Sequence, residues 1–207
     1  IATAEPVLYI GAKPIFVDVL PDSWCIDPAK IEAAITPKTK AIVVVHLYGN
    51  VCDMDAIMKI AEKYNVKVLE DAAEGIGSSY HGKCVGAIGD AGVFSFHGTK
   101  TLSTGEGGMV TTNSIEVYEK IKVLNDHGRN SKDPENKMFW MRNYGYKYKM
   151  SNLQAAMGLA QTERLPELIE KKREMFSWYR ELLKDIQCDL NPEPLNTTNG
   201  YWLPTLV

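Results

Sequence analysis

Cysteine is scarce in this chain and poorly placed for any framework. Cys25, Cys52, Cys84 and Cys188 lie far apart, and no C-x-x-C pair occurs. That fits reduced thiols in a cytoplasmic protein better than a disulfide scaffold. His81 and Cys84 share a spacing that suits a metal, but no second pair completes four ligands, so no metal site is expected. No uninterrupted apolar run is long enough to cross a bilayer, which argues against a membrane protein. An excess of charge is missing too. The 23 basic and 26 acidic residues leave a net charge of −3, which gives no electrostatic case for nucleic acid. The sequence shows no internal repeat and no low-complexity segment. What is there is 207 residues, 45% of them hydrophobic, enough for one sizeable core and short for two full domains.

The hydrophobic pattern alternates between two periods. Lys40-Ala-Ile-Val-Val-Val-His46 is nearly all apolar, as expected of a parallel strand covered on both faces. Asp53 to Tyr64 has helical spacing, with Met54, Ile57, Met58, Ile60 and Ala61 facing inward. A strand over Val66 to Glu70 follows, so strand, helix and strand make a βαβ unit and imply a mainly parallel sheet. A helix over Ala2 to Tyr9 and a strand over Pro14 to Val19 are expected before it. Asp27-Pro28 caps a short helix to Ala34. Downstream, the pattern predicts a hairpin over Ser79 to Gly86, a strand over Gly92 to Phe96 and a return strand over Gly108 to Thr112. Ser114 caps a helix to Asn125, and residues 131–143 read as a long surface loop. Two helices follow, one ending near Glu163 and one from Pro166 to Leu183. The apolar run Tyr201 to Val207 reads as a last strand.

Chemistry points to one lysine. The strand Gly92 to Phe96 breaks at Gly98 and delivers Lys100 into a loop of Thr, Ser and Gly. A core environment penalises the ammonium and favours the free amine, the form that attacks a carbonyl in Schiff-base chemistry. A lone loop lysine more often snorkels to solvent. The upstream strand changes that balance, because it ends at Asp71 followed by the small residues Ala72 and Ala73. In open α/β sheets, ligands collect at the carboxyl ends of strands, and both Asp71 and Lys100 sit at such ends. A carboxylate that holds a pyridine nitrogen protonated, facing an imine-forming lysine, suggests pyridoxal 5'-phosphate. Ser95, Thr99 and nearby glycines are candidate hydrogen-bond donors to its phosphate.

Glu70-Asp71-Ala-Ala-Glu74, Phe94-Ser95-Phe96-His97-x-x-Lys100 and Thr104-Gly-Glu-Gly-Gly108 together resemble the signatures of the DegT/DnrJ/EryC1/StrS sugar aminotransferases. The resemblance implies an aspartate aminotransferase type I fold, α/β with a mainly parallel mixed sheet flanked by helices. It also implies pyridoxal phosphate as cofactor and a keto-sugar carried on a nucleotide as amine acceptor, in polysaccharide or O-antigen biosynthesis. Glutamate is the donor the family uses, and sites shared across a homodimer are its usual assembly. By resemblance, Lys100 is catalytic, and Asp71, Glu74, Ser95 and Lys100 bind the cofactor. Glu74, where many members have glutamine, is similar to the perosamine synthases, which aminate a GDP-linked 4-keto-6-deoxymannose. The family's Gly-x-Asn-x-Arg-Met motif sends an asparagine to the neighbouring subunit's cofactor phosphate. Here Gly145-Tyr-Lys-Tyr-Lys-Met150 puts Lys147 at that position, where a lysine can still bind phosphate as a point charge.

Set against the family, the chain reads as an internal fragment. Residues 1–188 form the large cofactor-binding domain without its leading part, with the long helix that connects onward. Residues 189–207 begin a small C-terminal domain. Two related activities and one unrelated one compete. A pyridoxamine-dependent sugar dehydratase carries histidine in place of this lysine, which Lys100 argues against. Some members were first described as regulators, so a non-catalytic, regulatory role also competes. A nucleotide-binding oxidoreductase would need a third glycine after Gly75-Ile-Gly77, where Tyr80 stands. Arg129 and His97 remain secondary candidates, each equally readable as an ordinary surface or structural residue.

Overall fold

A computed structural model describes residues 1–130, 141 and 143–207. Most of the expected loop over 131–143 therefore lies outside the described residues. In chain order the elements are α1 (Glu5–Tyr9), α2 (Pro28–Ala34), β1 (Ala41–Val45), α3 (Met54–Tyr64), β2 (Lys67–Asp71), β3 (Ser79–Tyr80) and β4 (Lys83–Cys84). They continue with β5 (Ala91–Ser95), β6 (Gly108–Thr112), α4 (Ile115–Asn125), α5 (Asn152–Thr162), α6 (Leu165–Leu182) and β7 (Thr197–Thr198). The main sheet has the order β1-β2-β5-β6, parallel across β1, β2 and β5 and antiparallel at β6. A mainly parallel mixed sheet beside helices is the expected fold class, and the β1–α3–β2 crossover is its first unit.

Alternation along the strands decides which face builds the core. Ile42 and Val44 of β1 and Val68 of β2 are buried, and they pack with Met54, Ile57 and Ala61 of α3 and with Ile31 of α2. Each such side chain contributes about 1.5–3 kcal/mol by leaving water. Local signals set the helix starts. Asp27 accepts from Ala29 N–H, Asp53 from Ala56 N–H and Ser114 from Val117 N–H. Ser151 and Gln154 form a reciprocal capping box at α5. The α3 helix ends at Asn65 in the left-handed conformation, a stop that asparagine tolerates. The hairpin β3–β4 turns at His81 and Gly82, both at positive φ, as expected.

Three expectations need correction. The first helix is shorter than 2–9 and starts at Glu5, with Pro6 in its first turn. Pro14 to Val19 forms no strand beyond a single bridge between Val19 and Ile26. Phe16 is 82% exposed, and the backbone is engaged in a turn through Asp27 N–H to Asp18 C=O and Leu20 N–H to Cys25 C=O. β-propensity describes fit to a pleated, half-buried surface, and this segment has no strand beside it among the described residues. Finally, Tyr201 to Val207 is not a strand. Tyr201 adopts φ +45°, Leu206 bridges Leu190, and the pairing is made earlier, where β7 joins β3 antiparallel. Among the described residues no helix is long and apolar enough to cross a membrane.

Candidate active site

Parallel register brings the carboxyl ends of the strands together. Val45, Asp71 and Val93 lie in one row across β1, β2 and β5. The chain leaves each strand near this edge: β1 into His46 and the turn Leu47–Gly49, β2 into Ala72 to Glu74, and β5 into Phe96 and the Lys100 loop. Phe96 and Leu102 are buried with Ile76 and anchor that loop. Phe96 N–H donates to Gly107 C=O and Thr104 N–H to Phe96 C=O, while Gln161 of α5 exchanges hydrogen bonds with both backbone groups of Ser103. Gly107 sits at φ +153°, and a Cβ there would lie 2.6 Å from Thr104 Oγ1. The loop is therefore a fixed mount for Lys100.

Lys100 is largely buried, with its side chain 13% exposed, and Nζ lies 3.5 Å from Glu74 Oε1. The other oxygen of Glu74 accepts from Tyr48 N–H at 2.9 Å. Tyr48 reaches that position with φ +60°, a conformation disfavoured for a bulky residue and of the kind that collects at functional sites. On its other side, Lys100 Nζ stands 3.9 Å from the centroid of the Trp202 ring. The Lys100 amine thus lies between a carboxylate and an aromatic face. Asp71, half-buried, accepts from Ala73 N–H at 3.1 Å and from the hydroxyl of Thr3 at 2.6 Å. Ser95, also half-buried, accepts from His97 N–H through Oγ.

Beneath this cluster lies a second carboxylate. Glu70 is fully buried and accepts the amides of Gly86, Ile88 and Gly89 at 2.6–2.7 Å. His46, equally buried, lies 3.1 Å away through Nε2. Because His46 Nδ1 accepts from Cys52 N–H, Nε2 carries the proton and donates it to Glu70. Burial pushes the Glu70 carboxyl up, but the His46 hydrogen bond and the amides of Gly89 and Gly86 outweigh it and hold the group below the ordinary glutamate value of 4.5.

Of the sequence-predicted residues, Lys100 and Glu74 meet directly, and Asp71 and Ser95 stand at the same sheet edge. Lys147 is exposed where its backbone bridges Asp126, and among the described residues no hydrogen bond or ion pair joins it to Lys100, Asp71 or Glu74. Arg129 pairs with Asp126 and His81 with Asp55. His97 contacts Thr99 and Glu106. Among the described residues no group of His, Cys, Asp and Glu could hold a metal ion. Sequence reasoning missed Thr3, the amide of Tyr48 and Trp202. Trp202 left one signal, as one of four tryptophans in the chain, set in an apolar run.

The donor set suits a carbonyl cofactor with a basic ring nitrogen and an anionic group. An amine sits near a carboxylate with accepting capacity left. Thr101 Oγ1, next in the chain to Lys100, is buried without a partner among the described residues. Comparisons with known proteins give the family and the fold. The model of the DegT/DnrJ/EryC1/StrS aminotransferase family matches residues 1–207. A GDP-perosamine synthase from Caulobacter vibrioides is 47% identical over 183 residues, which is 88% of this chain and 48% of that protein. The structure of an aminotransferase from Psychrobacter cryohalolentis superposes with TM-score 0.90 at 34% identity, covering 97% of this chain and 55% of the other. That of DesI, solved in the presence of its TDP-sugar product, gives TM-score 0.88 at 34% identity, covering 99% and 51%. The chain spans about half the length of the curated relatives it matches. With the family model matching it over its whole length, the chain belongs to the DegT/DnrJ/EryC1/StrS aminotransferase family.

Proposed function

We propose that the protein transfers an amino group, with glutamate as donor, to a keto-sugar carried on a nucleotide, using pyridoxal 5'-phosphate. The observation that carries this reading is the Lys100 amine held at the carboxyl ends of β2 and β5 beside Glu74, with Asp71 in the same strand-end row. When bound, pyridoxal phosphate supplies an aldehyde that takes up amines and a protonated ring that withdraws electrons from the bond being broken. Lys100 Nζ would hold that aldehyde and, when free, would carry a proton from the donor Cα to the aldehyde-derived carbon in the first half of the exchange and from that carbon to the acceptor carbon in the second. Asp71 keeps a proton on the ring nitrogen, and the Thr3 hydroxyl and Ala73 amide fix its carboxylate for that task. Ser95 and Thr101 offer hydroxyls to the phosphate. Glu74 orients Lys100, and the rings of Tyr48 and Trp202 screen the amine from water.

The likeness to GDP-perosamine synthases and the carboxylate at Glu74 favour a GDP-linked 4-keto-6-deoxy sugar. We read residues 1–188 as the large domain and 189–207 as the start of a second, with the enzyme working in the cytoplasm as a homodimer. Lys147, exposed on its own protomer, then serves the neighbouring site. The test is an absorption spectrum of the full-length protein with pyridoxal phosphate, beside Lys100→Ala. A visible band in the parent, missing in the variant and bleached by glutamate, supports the reading. A band absent from the parent, or equal in both proteins, overturns it.

A further inference from the structure

Three buried asparagines meet where β1 ends. Asn50 Oδ1 accepts from Asn199 Nδ2 at 2.8 Å and from Asn191 Nδ2 at 3.3 Å, and Asn50 Nδ2 donates to Ser23 C=O. The approach is close enough that a Cβ on Gly49 would lie 2.6 Å from Asn199 Oδ1. Ser78 Oγ bridges Gly49 C=O and Gly200 N–H. From α6, Lys172 Nζ donates to Trp202 C=O, and Phe176 stacks on Tyr201 at 3.8 Å. Buried polar groups so fully paired specify one arrangement, because any slip leaves several of them without partners.

The product of this clasp is the placement of one indole. Trp202 Nε1–H donates to Thr99 C=O at 2.9 Å, while its ring lies 3.9 Å from Lys100 Nζ. Tyr48 stacks behind the ring at 6.4 Å, and the amide of the same Tyr48 holds Glu74, the ion-pair partner of Lys100. The contacts close a ring: Lys100, Trp202, Tyr48, Glu74 and back to Lys100. A packing accident would not fix both the backbone before the lysine and the amine at its tip.

We propose that Trp202 is a positioning residue for Lys100. The indole N–H fixes the backbone from which the lysine departs, and the ring covers the amine and limits the directions from which an electrophile reaches it. Its meaning for catalysis rests on Lys100 being the cofactor lysine, but its test does not.

The experiment is competitive labelling of the full-length, cofactor-free protein with an amine-reactive reagent, trinitrobenzenesulfonate, read lysine by lysine by peptide mass spectrometry. Trp202→Ala should raise the labelling rate of Lys100 by roughly two- to tenfold, the effect of removing a partly desolvated cation–π contact. The exposed Lys63 on α3 should label at an unchanged rate. Trp202→Phe, which keeps a ring and loses the indole N–H, should recover part of the protection. A Lys100 rate that does not change in Trp202→Ala overturns the proposal. So does a rise shared by Lys63, because that reports general loosening. Failure here with a normal cofactor spectrum removes only the role of Trp202, whereas loss of the Lys100-dependent band removes the transaminase reading itself.

Discussion

Two glutamates four positions apart on the same stretch of chain have opposite surroundings. Glu70 is fully buried and accepts three backbone amides and one imidazole N–H, so its lone pairs are used up. Glu74 keeps a 20% exposed side chain, one amide and a 3.5 Å contact with a lysine amine. The first carboxylate is structural: it ties the end of β2 to the 86–89 turn and to the residue that follows β1. The second has capacity to spare beside the Lys100 amine. Saturation of hydrogen bonds, more than charge, separates the two acids.

The strongest way to break this contrast is Glu70→Ala. It leaves the buried Gly86 amide, the part-buried Ile88 and Gly89 amides and the His46 N–H without an acceptor, and the expected loss of stability is at least about 3 kcal/mol. Urea unfolding of the full-length protein checks it; a loss below about 1 kcal/mol would mean that Glu70 is replaceable. Acid sharpens the same point. The carboxyls of Glu70 and Glu193 are both held below the ordinary glutamate value of 4.5. For Glu193, burial works the other way, and the hydrogen bonds from Arg173 and from the amide of Asn199 overcome it. The unfolded chain therefore binds protons more readily at these two positions. Their stabilisation is complete above the unfolded value and is lost as pH falls from about 4.5 through the folded values. Unfolding midpoints measured downward from about pH 6 should fall in that window, and Glu70→Gln should make the fall shallower. The smallest expected effect on stability is Glu74→Gln, within about 0.5 kcal/mol of the parent by the same urea measurement. Amino transfer in that variant should nevertheless drop about tenfold, the cost of weakening one charge-assisted contact. A variant stable and fully active would place Glu74 with the spectators.

Local signals made much of the fold legible. The caps Asp27 and Ser114 are readable because their partners are two or three residues away, and Asp53 and Ser151 cap in the same way. The β1–α3–β2 unit followed from periodicity for the same reason. The Pro14 to Val19 run has the right residue types, but a strand also needs a neighbour, which composition does not reveal. The site divides in the same way. Lys100 and Asp71 could be proposed because strand ends in parallel sheets gather ligands. Thr3 and Trp202 could not, since Thr3 meets Asp71 across 68 positions and Trp202 meets Thr99 across 103. Only packing brings such residues together.

The clasp at Asn50 also bears on timing. Asn50 and Asn199 are separated by 149 positions, among the longest links in the molecule. Contacts so distant form only after the entropy of closing a long loop has been met, so they come late in folding. A chain synthesised from its N-terminus exposes Lys100 well before residue 202 exists to cover it. In that interval the β1–β2–β5 edge can be complete while its lysine is bare. The nascent chain thus passes through a stage in which the Lys100 amine is uncovered, and the arrival of Trp202 ends it.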